Sequence, residues 1–86
     1  MNIEFTNAVE ARKVSILLHK ELKKYSYNAD LHKMHQNIEE MIDELSREEV
    51  VVRQTRKDGR YQKLKQDILQ SMRHLEKFIL FLALTE

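Results

Sequence analysis

Residues 61–82 read YQKLKQDILQSMRHLEKFILFL, and apolar side chains return within them at Tyr61, Leu64, Ile68, Met72, Leu75, Ile79 and Leu82. Steps of three and four residues place these on one face of an α-helix, because a turn takes about 3.6 residues, and a spacing kept for three heptads is that of a coiled-coil seam. A second stripe precedes it: Leu31, Met34, Ile38, Met41, Leu45 and Val52, with Glu48 standing where an apolar residue is due. The only glycine lies between the stripes, in Arg56-Lys57-Asp58-Gly59-Arg60. Gly59 is expected to take the positive φ that ends a helix, and Asp58 to cap the next one. Helices 2 and 3 should therefore form a long antiparallel hairpin with coiled-coil-like packing.

Val50-Val51-Val52 beside an Asp-Gly pair also fits a β-hairpin with a type I′ turn. The opposite side, Arg60 to Lys65, lacks the β-branched residues a strand would use, and its apolar positions continue the helical period, so the helical hairpin is preferred. Further upstream, Ala8, Ala11, Val14, Leu18, Leu22 and Tyr25 recur at helical spacing, with Val9, Ile16 and Leu17 widening the apolar face. They predict a first helix of about six turns. Its end rests on Asn28 as C-cap and Asp30 as the next N-cap, since residues 25–30 contain neither glycine nor proline. A bent continuous helix is one alternative, and exchange of helix 1 with a neighbouring copy across the connection near Tyr27 is another.

The fold class expected from these stripes is all-α: a three-helix bundle in one domain over residues 1–86. Composition agrees, since 42% hydrophobic and 34% charged residues with one glycine and no proline suit neither a disordered tail nor an all-β fold. A chain of 86 residues buries only about 60–65% of its unfolded surface, which leaves little room for a deep substrate cavity. The absence of cysteine removes disulfides, thiolate nucleophiles and thiolate metal ligands, and points to the cytosol. Met1 to Thr6 lacks the basic and apolar regions of a signal peptide, and the longest apolar run, Phe78 to Leu84, falls far short of a membrane span of about 20 residues. A cytoplasmic protein without a membrane partner is expected.

Function is read from three features. In Phe78-Ile79-Leu80-Phe81-Leu82-Ala83-Leu84 the apolar stripe spreads around the helix; at about 100° per residue, Phe81 and Leu84 lie roughly 140–160° from the centre of the Tyr61-to-Leu82 stripe. One core cannot face all of them. Either helix 1 covers the far side, or Phe78, Phe81 and Leu84 contact another protein or a second copy, and the second reading is preferred. Next, a formal net charge of +1 hides two adjacent blocks. Residues 39–49 carry six acids and one base, and residues 53–65 carry six bases and one acid. Arg53, Arg56, Lys57, Arg60 and Lys63 can contact phosphate, as in a small nucleic-acid-binding regulator, but cations also complement a helix C-terminus and a single Tyr61 offers little stacking. The paired blocks can also orient an antiparallel dimer.

The third feature is histidine spacing. His32, His35 and Glu39 can lie on one helix face, yet no cysteine or second carboxylate–histidine pair completes a metal site, and no metal or other cofactor is expected. Ser71 and His74, one turn apart, are the only nucleophile–base pair worth naming, with nothing evident to orient the base or form an oxyanion hole. From Gly59 onward, Arg60-Tyr61-Gln62 followed by Leu64, Ile68, Leu75 and Ile79 resembles, over about a third of the chain, the C-terminal hairpin of the needle-protein co-chaperones of type III secretion. Small phage-encoded inhibitors and bacterial regulatory adaptors share this helical composition. The resulting expectation is a non-enzymatic adaptor, chaperone or inhibitor that engages a partner protein, or itself as a homodimer, through Phe78, Phe81 and Leu84, with no small-molecule substrate; nucleic-acid binding is the alternative.

Overall fold

The computed structural model describes residues 2–25 and 28–85, which form three helices: α1 (Ala8–Leu22), α2 (Ala29–Thr55) and α3 (Gly59–Thr85). Among the described residues there is no strand, and Val50-Val51-Val52 lie inside α2, so the β-hairpin alternative falls. α2 and α3, of 27 residues each, run antiparallel for about 40 Å, and α1 packs on both, giving an all-α three-helix bundle.

Why these stripes become helices is plain from what they bury. On α3, Ile68, Met72, Leu75 and Ile79 are buried, with Tyr61, Leu64 and Leu82 half-buried beside them, so the whole expected seam faces the core. On α2 the seam is wider than expected. Leu31, Ile38 and Leu45 are buried and Met34 and Met41 half-buried, but His35 and Ile42 are buried as well, because α2 must pack on both α1 and α3. α1 buries Ala8, Ala11, Ser15, Leu18 and Leu22. Val9, Ile16 and Leu17 do not widen its core face; they are exposed, because α1 meets only two neighbours and its third side is solvated.

α1 is also shorter than the apolar spacing suggests, 15 residues or about four turns instead of six. It opens at Asn7, whose side-chain oxygen accepts the Glu10 N–H at 2.9 Å, while Glu49 of α2 accepts the Ala8 N–H at 2.5 Å and sets a carboxylate at the positive end of the helix dipole. It closes through short-range bonds from Lys24 to Glu21 and from Tyr25 to Leu22. Asn28 then belongs to α2 and is not a C-cap of α1: with extended backbone (φ −131°, ψ 109°) its side chain accepts the Leu31 N–H at 3.1 Å. Asp30 accordingly sits in the first turn of α2, not at its cap. This break removes the bent continuous helix. Ser26 and Tyr27, where the connection and its exchange alternative fall, lie outside the described residues.

The α2–α3 turn corrects a second expectation. The left-handed residue is Arg56 (φ 60°, ψ 18°), its N–H bonded to the Val52 carbonyl at 2.8 Å, whereas Gly59 has no positive φ and begins α3. Thr55 explains the shift: its hydroxyl donates to the Val51 carbonyl and accepts the Lys57 N–H, so the reversal is held there. Asp58 directly precedes α3, and its carbonyl accepts the Gln62 N–H at 2.8 Å. A Cβ on Gly59 would meet open space. Arg56→Gly and Gly59→Ala are each expected to stabilise the protein by about 0.5–1 kcal/mol, the first by relieving a left-handed side chain and the second by reducing unfolded-state freedom. Urea midpoints that fall in either variant would contradict this placement of the turn.

Candidate functional site

The antiparallel register sets Ser71 and His74 of α3 beside Met34, Asn37 and Ile38 of α2. Seven residues beyond His74, α3 reaches Phe81, but α2 starts only at Ala29 and stops short of it. α1 approaches α3 from the other side, where Leu18, Glu21 and Tyr25 face Glu76, Ile79 and Leu80. Neither helix therefore covers the outer face of the last turns of α3. Phe78, Phe81 and Leu84 stand there at 50%, 62% and 87% exposure. Phe78 and Phe81 line a depression with His74 and Lys77. The core beneath is complete without them.

The expected phosphate contacts divide into two groups. Arg53, Arg56 and Lys57 are exposed at the tip of the hairpin. Arg60 instead reaches back to Glu44 at 3.3 Å and Glu48 at 3.5 Å, and Lys63 pairs with Asp67 at 3.2 Å. The acidic block is spent in the same way, since Arg12 of α1 bonds both Glu39 and Asp43, and Glu49 accepts from Ala8 and from the Tyr61 hydroxyl. Burial, followed by the charge of Glu49 and the hydrogen bond to it, pushes the Tyr61 phenol above its ordinary value. Part of each block thus staples the bundle internally, while Arg53, Arg56 and Lys57 of the basic block and Glu40 of the acidic one stay exposed.

The histidines gather where sequence spacing does not predict. His19 of α1 packs against two rings of α2: its centroid lies 4.7 Å from that of His35, and 6.0 Å from that of His32 at near right angles. His35 Nε2 meets three oxygens, the Ser15 hydroxyl at 3.0 Å, the Ser15 carbonyl at 3.1 Å and Glu39 Oε1 at 3.4 Å, while the Ser15 hydroxyl donates to Glu39 at 3.0 Å. Three acceptors around one nitrogen assign the proton to Nε2. Serine, histidine and a carboxylate meet here, but the proton on Nε2 leaves no lone pair to draw one from Ser15, and Ser15 is wholly buried. The cluster locks α1 to α2. Among the described residues no group of three or more His, Asp or Glu side chains is placed to hold a metal ion. Ser71 and His74 share only a shallow depression. No helix among the described residues is long and apolar enough to cross a membrane.

His19 gives this cluster a pH dependence. Its Nδ1 is buried without a hydrogen-bond partner among the described residues, and burial first, then His35, Lys23 and His32, hold it below its ordinary value, with Glu39 opposing. A histidine depressed in the folded state contributes stability above its unfolded value of about 6.5 and loses it as the pH falls below that. The urea midpoint is therefore expected to drop between pH 7.5 and 5.5, and to drop less in His19→Asn. Parallel pH profiles for the two proteins would contradict the assignment.

No family model matches the chain, and no curated protein or solved structure matches it either. The likeness of the segment from Gly59 onward to type III secretion co-chaperones accordingly gains no support from relatives.

Proposed function

We propose that the protein is a non-enzymatic binding module, of the adaptor, chaperone or inhibitor kind, which engages another protein or a second copy of itself through Phe78, Phe81 and Leu84. One observation carries the reading: large apolar side chains stay exposed together on α3 although the bundle core closes without them. Aromatic anchors of this sort supply much of the energy of protein interfaces, and monomeric proteins seldom leave them uncovered.

Phe81→Ser tests it. Truncating an aromatic anchor costs about 2 kcal/mol or more, roughly a 30-fold weakening, so association of the untagged wild type seen by light scattering, or its retention of a partner, should be lost in the variant at matched concentration. Identical solution mass and identical retained proteins for the two would overturn the reading. The nucleic-acid alternative keeps Arg53, Arg56 and Lys57 as exposed cations at the hairpin tip. It requires binding that falls steeply between about 50 and 200 mM salt.

A further inference from the structure

The exposed face of α3 is uneven in charge. Between Ile68 and Thr85 the only carboxylate is Glu76, and it lies on the α1 side of the helix with Glu21 and Tyr25. On the outer face Gln66, Gln70, Arg73, His74 and Lys77 border one shallow depression, and His74 and Lys77 also border the next, beside Phe78 and Phe81, so that the two follow one another along α3 as a shallow groove. Among the described residues neither Arg73 nor Lys77 is held in an ion pair, whereas Arg12, Lys24, Arg60 and Lys63 each bond a carboxylate of their own chain. The groove is thus apolar at one end, cationic in the middle at Arg73 and Lys77 and amide-lined at the other end, with no carboxylate lining it.

Resting on the binding reading above, we infer that this groove docks an amphipathic helix of a different protein, one whose apolar stripe is flanked by Asp and Glu. From Gln66 to Phe81 it extends about 22 Å, enough for roughly four turns of such a helix. Apolar residues of the helix would pack on Phe78 and Phe81 while its carboxylates meet Arg73 and Lys77, which steers encounter and selects against cationic competitors. A second copy fits less well. The exposed apolar residues of α1 and α2, Val9, Ile16, Leu17, Val50 and Val51, have Lys13, Lys20, Arg47 and Arg53 within a turn, and the acids beside them, Glu10, Glu21, Glu48 and Glu49, are already bonded to Thr6, to Lys24, to Arg60, and to Ala8 and Tyr61. A bilayer fits less well too, because the amides of Gln66 and Gln70 offer hydrogen bonds to a polar helix flank and nothing to acyl chains.

The test is a selection from a displayed library of helical peptides, randomised both in the stripe and at its flanks, sorted for binding to the wild type and against binding to Phe81→Ser. Asp and Glu should dominate the flanks of Phe81-dependent clones, and the affinity of a representative synthetic peptide should fall at least tenfold in Arg73→Glu/Lys77→Glu and severalfold in Lys77→Gln. Phe81-dependent clones with neutral or basic flanks, unaffected by these charge changes, would overturn the acidic preference and leave the binding reading intact. An absence of Phe81-dependent clones would overturn the helix-docking inference, while the binding reading stands or falls on the association of the wild type against Phe81→Ser. Phe81-dependent sedimentation with phosphatidylcholine/phosphatidylserine vesicles, or a Phe81-dependent homodimer by light scattering, would reassign the groove to lipid or to a second copy and overturn the inference.

Discussion

Leu18→Ala is expected to lower the unfolding free energy by roughly 3–5 kcal/mol, the range for emptying a fully enclosed leucine site in a core that relaxes only partly. Leu18 is wholly buried in the C-terminal half of the core face of α1, near Ile79 of α3. A 15-residue helix is marginal alone in water, so α1 owes its existence to this burial, and the small gain in helix propensity from alanine does not offset the cavity. Set against a typical total of 5–15 kcal/mol, the loss should be plain in a urea titration of the purified protein. It should also be independent of protein concentration, because the surfaces that bury Leu18 belong to the same chain. A change below about 1 kcal/mol would mean that α1 is not seated on its own α2 and α3.

Glu39→Ala is the second large effect, expected at about 2 kcal/mol, since it removes an acceptor shared by Ser15, His35 and Arg12 and leaves buried donors without it. Glu39→Gln separates the contributions. The amide oxygen still accepts from Ser15, while the attraction to Arg12 is lost; that pair is partly solvated, so the variant should cost only about 0.5 kcal/mol. Equal losses in the two variants would assign the stabilisation to the ion pair instead of the buried hydrogen bonds.

How much of this was legible beforehand differs from helix to helix. α3 is read almost completely from spacing, because it has one broad core face and every position of the stripe Tyr61, Leu64, Ile68, Met72, Leu75, Ile79 and Leu82 lies on it. α2 is half legible. Its seam toward α3 is apolar, but its second face, toward α1, is built from His35, Glu39 and Asp43 with Ile42, and polar residues give no periodic signal. For the same reason Ser15 and His19 are invisible as core-facing residues of α1, although Ser15, His19 and Leu22 fall a turn apart, which is the clue to the cluster. Spacing points to Gly59 as the turn because glycine is the usual left-handed residue, whereas here the Thr55 hydroxyl and the Lys57 amide fix the reversal at Arg56. The exposure of Phe78, Phe81 and Leu84 follows from the helical angle together with the late start of α2, and only the first of these can be counted in a sequence.

The central claim is that Phe81 belongs to a surface and not to the core, and the urea midpoint of Phe81→Ser beside that of the wild type tests it most directly. A difference within about 0.5 kcal/mol, with helical content unchanged, is the predicted result for a side chain on the solvated face of α3. A loss of 3 kcal/mol or more, the size expected for an aromatic removed from a packed interior, would place Phe81 in the core and contradict the account.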